Sequence, residues 1–184
     1  MKVLMMISNG FEEVEALTTV DLLRRGGVEV NMCSMTGELL LHGSHGIDVM
    51  ANSIWSEAMV KDYDEYEGVI LPGGLPNSHT LRDDERVIAA LKKFASDSKI
   101  VAAICAAPCA LERAGLLVGK EATSYPGCID ETKCNYQEIP TVVCDNIVTS
   151  RGVGTAIDFA LTLLRLFKGP EVAGDLADGI LYEG

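Results

Sequence analysis

Short apolar runs alternate with longer amphipathic stretches along this chain, the pattern of buried strands joined by helical crossovers. Val3 to Ser8, Val28 to Ser34, Gly68 to Leu71 and Ile100 to Ile104 read as strands. Their hydrophobicity is nearly continuous, which suits strands covered on both faces. Val142-Val143 and Ile147 to Thr149 extend the set. Glu13 to Arg25 carries Val14, Leu17, Val20 and Leu22 near one helical face, and Gly26-Gly27 ends it. Further helices are expected at Asp84 to Ser96, Gly154 to Phe167 and Glu171 to Leu181, whereas 37–50 reads as a hairpin or an edge excursion. The implied class is α/β, with a mostly parallel sheet between helical layers. In such folds the working crevice lies beyond the carboxyl ends of the strands. The 9–15 turn, the Pro72-Gly73-Gly74 turn and Cys105 all fall there.

A length of 184 residues suits one domain, 1–184, with a single core. At 48% hydrophobic residues the chain is too apolar to be disordered. The longest apolar stretch, IVAAICAAPCAL from Ile100 to Leu111, is too short to span a bilayer and contains a proline. MKVLMMI at the start is too short for a signal-peptide core, so a cytoplasmic protein with no membrane partner is expected. The formal net charge of -12, uninterrupted by a basic cluster, repels phosphate backbones and argues against a nucleic-acid partner. The six cysteines, Cys33, Cys105, Cys109, Cys128, Cys134 and Cys144, read as reduced thiols. No CxxC pair occurs and the only histidines are His42, His45 and His79, so no metal site is expected.

Cys105 stands where a strand passes into the small residues Ala106-Ala107-Pro108. A thiol opening a helix meets backbone N–H groups and a helix dipole that favour its anion, and the thiolate is the nucleophile. The other reading, a buried cysteine packing as a small hydrophobe, stands beside it on position alone. Gly73-Gly74 lets the backbone turn sharply, so that the N–H groups of Gly74 and Ala106 can face one oxygen, the geometry of an oxyanion hole. An ordinary strand-ending turn explains the same dipeptide. Glu12, Glu13 and Glu15 enter the first helix, where acidic residues complement the dipole. Glu15 lies deepest, and a buried carboxyl there can stay protonated beside a thiolate. Gly152-Val153-Gly154 starts like a dinucleotide fingerprint, but Ile157 occupies its third glycine position. Cys109, four residues after Cys105, reads as a packing residue more readily than as a resolving thiol.

The strings NGFEEVEAL, DLLRRGGVEV, GVILPGG, IVAAICAAP and TSRGVGTAIDFAL closely resemble the ThiJ/PfpI family, above all the ThiJ branch to which the human parkinsonism-associated protein belongs. The likeness runs from end to end in one order. It implies a flavodoxin-like three-layer sandwich, usually a homodimer. It also implies Cys105 as the nucleophile at an elbow, Glu15 as its protonated partner, and Gly74 and Ala106 as oxyanion-hole amides. Arg25 and Arg151 match family arginines near the interface and the site. Two departures stand out: Ala106 replaces the histidine of the protease-like branch, and Tyr125 precedes Pro126 where many members of the ThiJ branch carry a histidine. The family's GPG loop is Gly152-Val153-Gly154 here. The implied activity is a cofactor-free, glyoxalase III or deglycase-like reaction of small 2-oxoaldehydes or their adducts. A thiol sensor of oxidative stress, or a chaperone, is the alternative. Without the neighbouring histidine, peptide or amide hydrolysis is disfavoured.

Overall fold

The computed structural model describes residues 1–183. Its strands are β1 (Lys2–Ile7), β2 (Glu29–Ser34), β3 (Leu40–His42), β4 (Asp48–Met50), β5 (Ser53–Ile54), β6 (Gly68–Leu71), β7 (Ile100–Ile104), β8 (Glu121–Ala122), β9 (Asn135–Tyr136), β10 (Thr141–Cys144) and β11 (Ile147–Ser150). Its helices are α1 (Glu13–Arg25), α2 (Asn77–Asp83), α3 (Glu85–Ser96), α4 (Pro108–Arg113), α5 (Ala156–Lys168) and α6 (Pro170–Gly179). Seven strands make one sheet in the order β10-β11-β7-β6-β1-β2-β5. All its pairings are parallel except β10 with β11, which forms an antiparallel edge.

Side chains alternate across this sheet, as the two-residue period of a strand requires. Leu4, Met6, Val69, Leu71, Val101 and Ala103 enter one core with residues of α3 and α4. Val3, Met5, Ile7, Ile70, Ala102 and Ile104 enter the other with α1 and α5. The mostly parallel α/β sandwich expected from the apolar runs is therefore what forms.

Several details depart from expectation. The sheet-facing stripe of α1 is Ala16, Thr19, Val20 and Leu23, while Val14 is exposed and Leu17 half-buried. The helix is rotated because Glu13 and Glu15 are drawn inward, against the hydrophobic ranking of its side chains. α2 carries the polar run NSHTLRD, with too few apolar residues to show a helical period. β5 and the 3-10 segment Glu57–Glu65 are likewise too short or irregular for the pattern to show. The 37–50 segment does form a hairpin, β3 with β4.

Chain order places the site. From β1 the chain moves outward through β2 to β5, then crosses back to β6 on the other flank of β1. The strand order thus reverses between β1 and β6, and crevices open at the carboxyl ends beside such a reversal. The 9–12 turn leaves β1 there, Pro72-Gly73-Gly74 leaves β6, and Cys105 leaves the adjacent β7.

Candidate active site

Cys105 has φ 65°, a left-handed conformation unfavourable for a residue with a Cβ. Such strain costs on the order of 1–3 kcal/mol and persists only where neighbours enforce it. Here they do. The Cys105 N–H donates to Ser150 O at 2.9 Å, and its carbonyl accepts from Tyr125 N at 2.7 Å. The Ala107 N–H donates to Ile104 O at 3.1 Å and closes the turn. The elbow corrects one expectation. α4 begins only at Pro108 and spans six residues, so Cys105 does not open a helix, and individual amides replace the dipole. The amides of Gly74 and Ala106, which have no backbone acceptor among the described residues, reach the thiol and favour its anion.

Glu15 is fully buried. Its Oε2 accepts from the Gly73 N–H at 3.0 Å, while Oε1 has no hydrogen-bond partner of good geometry. Oε1 and the Cys105 Sγ border the same point, each 3.8 Å from where a side chain at Gly152 would begin. Burial raises Glu15 to about 7, and the like charge of Glu12 adds to this; the hydrogen bonds from Cys105 and Gly73 work the other way. Burial likewise pushes the Cys105 thiol up to about 12, with the charge and hydrogen bond of Glu15 reinforcing it and the two amides opposing it. The two groups titrate as a pair. It holds two protons below about 7 and one from there to about 12. The simple depressed thiol expected at a helix start is therefore replaced by a shared proton. The two N–H groups facing sulfur stabilise the thiolate form of the pair, and the one facing the carboxyl stabilises the carboxylate form.

The glycines are demanded by this geometry. A Cβ at Gly73 would sit 2.4 Å from Glu15 Oε2 and 2.6 Å from Cys105 Cβ. At Gly74, with φ 90°, it would sit 2.3 Å from Glu12 N and 2.4 Å from Gly10 O. Above the pair opens a cleft of about 490 Å³, walled by Glu12, Tyr125, Pro126, Arg151 and the 152–155 loop. That loop is locked by Thr155, whose hydroxyl accepts from Gly152 N at 3.1 Å and bonds the Ser150 hydroxyl at 2.7 Å. Arg151 lies 3.6 Å from Glu138 in an ion pair at the rim.

Of the residues singled out in the sequence, Cys105, Glu15, Gly74, Ala106, Tyr125 and Arg151 come together. Arg25 does not. It sits at the far end of α1 and pairs with Asp21 at 2.7 Å, so it cannot touch the cleft's contents. Cys109 is buried with its thiol toward Ser78 O, 3.7 Å away. The sequence shows Glu13 only as an acidic residue of a first turn, which looks like surface decoration. It is a buried carboxylate that accepts from His45 N at 2.6 Å and Ile47 N at 3.3 Å, and the Ser44 hydroxyl donates to it at 3.2 Å. Despite burial, the N–H groups of Glu13 itself, His45 and Ile47 and the His45 ring hold it at about 2. Glu12, Glu13 and His45 bring one ligand-type atom each within 4.8 Å of one another, but the Glu13 oxygens are already engaged by the hairpin. Among the described residues no helix is long and apolar enough to cross a membrane.

A strained cysteine elbow at the switch point of a mostly parallel sheet, with a buried carboxyl and two free amides, defines a flavodoxin-like protein built around one thiol. The comparisons make the class specific. Residues 1–166 match the DJ-1/PfpI family, and the chain belongs to it. That family includes enzymes with a cysteine nucleophile. Protein dj-1beta of Drosophila melanogaster is 35% identical over 181 residues, covering 97% of this chain and 95% of the fly protein. Protein DJ-1 homolog A of Arabidopsis thaliana is 37% identical over 183 residues, 97% of this chain. The chain spans about half the length of that plant relative, 46%. Among solved structures, oxidised Toxoplasma gondii DJ-1 superposes with a TM-score of 0.89 at 34% identity, covering 100% of this chain and 99% of that one. The crystal structure of fly DJ-1beta gives 0.90 at 29%, covering 100% and 98%.

Proposed function

We propose that this protein is a cofactor-free enzyme that converts 2-oxoaldehydes such as methylglyoxal and glyoxal, or their early adducts, to 2-hydroxyacids, with Cys105 as nucleophile. The observation that carries this reading is the Cys105–Glu15 pair, sharing a proton near neutral pH at the floor of an open cleft. The thiolate attacks the aldehyde carbon of methylglyoxal, forming a C–S bond and an alkoxide. The alkoxide sits against the Gly74 and Ala106 amides, and protonated Glu15 gives it the proton. Glu15, now a carboxylate, removes the C1 hydrogen and returns it at C2 by way of an enediol, while the proton on the C1 oxygen passes to the C2 oxygen, leaving a 2-hydroxyacyl thioester on Cys105. Water attacks the thioester carbonyl, the C–S bond breaks, and lactate and the thiol are released. The sum is methylglyoxal plus water to lactate plus a proton, with no external oxidant or reductant. Lactate appearing with wild-type protein and absent with Cys105→Ala is the expected result; full turnover by that variant ends the proposal.

A second reading has its own support. The same amides and carboxyl that face a thiolate also suit a sulfinate, and an accessible thiolate climbs the oxidation ladder readily. The Toxoplasma relative was crystallised oxidised. Mass spectrometry after mild peroxide separates the two readings: selective oxidation of Cys105 in a protein without aldehyde turnover favours sensing. In either case we expect the working form to be a pair of identical chains, since Val14 and Ile157 expose apolar surface on the packed helices α1 and α5 and Val153 exposes it at the cleft.

A further inference from the structure

The peptide between Gly73 and Gly74 aims one of the two amides that face Cys105, so whatever fixes that peptide controls the thiol. Its carbonyl is held from two sides. Gly73 O accepts from Glu12 N at 3.0 Å and from the side-chain Nδ2 of Asn77 at 3.0 Å. The same Nδ2 donates to Pro72 O at 2.8 Å, and the Oδ1 of Asn77 accepts from Ser8 N at 2.7 Å. Asn77 is fully buried. Two carbonyls on one side and an N–H on the other leave a single orientation for its amide group. The consequence follows from peptide planarity: C=O and N–H of one trans peptide point opposite ways. A Gly73 carbonyl pinned toward Asn77 turns the Gly74 N–H away from it, to the side where Cys105 lies.

We infer that Asn77 is a positioning residue for Cys105: by gripping the Pro72 and Gly73 carbonyls and the end of β1, it holds the Gly74 amide on the sulfur. It touches neither the cleft nor the reacting atoms, and its reach to Ser8 also fixes the strand end from which the Glu15 turn departs. No rule of sequence patterning marks it, because a buried asparagine in a short polar helix looks like an exposed one. The inference rests on the reading of Cys105 as a working thiolate.

The test is the pH dependence of Cys105 alkylation, read by mass spectrometry of the Cys105 peptide in the intact protein. Asn77→Ala should raise the alkylation midpoint by about one pH unit, about a tenfold loss of thiolate at a given pH below the midpoint. Asn77→Asp keeps an acceptor for Ser8 N but offers the carbonyls no donor, so it should shift the midpoint in the same direction. Ser78→Ala is the control for disturbance of α2, since the Ser78 hydroxyl is buried without a partner; its midpoint should equal that of the wild type. An unshifted midpoint in a cooperatively folding Asn77→Ala or Asn77→Asp protein overturns the inference, as does an equal shift in Ser78→Ala. Aldehyde turnover is measured separately. A shifted midpoint in a protein whose wild type makes no lactate keeps the role of Asn77 and removes the enzymatic reading; an unshifted midpoint beside robust turnover does the reverse.

Discussion

Glu15 is a carboxyl that the fold holds at a cost. Its folded value is raised to about 7, chiefly by burial. A group raised on folding stabilises most below its unfolded value, about 4.3, and that contribution is lost as pH rises through the folded value. At pH 8 the folded protein therefore carries a penalty of roughly 3–4 kcal/mol that it does not carry at pH 4. Glu15→Gln keeps an acceptor for the Gly73 N–H and removes the ionisation. Denaturant unfolding should show the variant more stable than wild type at pH 8, with the difference vanishing near pH 4; equal stability at both values rules the penalty out. Such a trade of stability for chemistry is expected of a working group and not of a packing one. Gly73→Ala tests the neighbouring constraint. Its Cβ would meet the Glu15 carboxylate and the Cys105 Cβ well inside contact distance. A loss of about 1–3 kcal/mol by thermal unfolding is expected, together with slow alkylation of Cys105. Much of this site was legible: a thiol after a strand, a glycine pair after another, and acidic residues entering a helix. What the residues could not reveal is that the thiol gains its anion from two amides and a shared proton, because that depends on a left-handed turn at Cys105 and on burial at Glu15.

At the scale of elements, the β3–β4 hairpin is a separate two-stranded sheet anchored on the turn that leads into α1. The hairpin is stitched to the 9–13 turn at the end of β3, where Gly10 N donates to His42 O at 2.7 Å, and in the 43–47 loop, where Ser44 N donates to Phe11 O at 2.9 Å. The buried carboxylate of Glu13 completes the seam. Glu13 is lowered to about 2 in the fold, so its contribution is present above its unfolded value, near 4.3, and disappears as pH falls through about 2. Glu13→Gln should remove on the order of 1–3 kcal/mol at pH 7 and flatten the acid limb of the stability curve between those values. Proteolysis should cut the variant first at 43–47; an acid limb identical to wild type excludes this role for Glu13. The hairpin itself could be read from the sequence, but its anchor could not. The rotation of α1 is the reason: apolar spacing put Val14 and Leu17 toward the core, whereas polar contacts drew Glu13 and Glu15 inward and turned the valine out. Hydrophobic periodicity sees the average face of a helix and misses a first turn set by hydrogen bonds.

For the whole molecule, the mostly parallel sheet and its two core layers follow from nearly continuous apolar runs whose side chains alternate between the faces, and the site falls where the strand order reverses. The surface is harder to read, because an exposed valine has meaning only once its neighbours are known. Val14 on α1 and Ile157 in the first turn of α5 lie on elements packed against each other, and Val153, in the loop before α5, borders the cleft. Burying such a face against a second copy has to outweigh the repulsion between two chains of formal charge -12. Two consequences distinguish an apolar self-association from an adventitious one. Added salt screens the repulsion and leaves the apolar gain in place, so the dimer should tighten as ionic strength rises from 10 to 150 mM, by roughly the range over which the Debye length falls from about 30 to about 8 Å. Val14→Asp should bury an unpaired carboxylate, weakening association by about 3 kcal/mol, more than a hundredfold in Kd. Sedimentation velocity at micromolar concentrations measures both. A wild-type protein that stays monomeric at high salt, or a Val14→Asp protein that pairs as tightly as wild type, places the contact elsewhere or removes it.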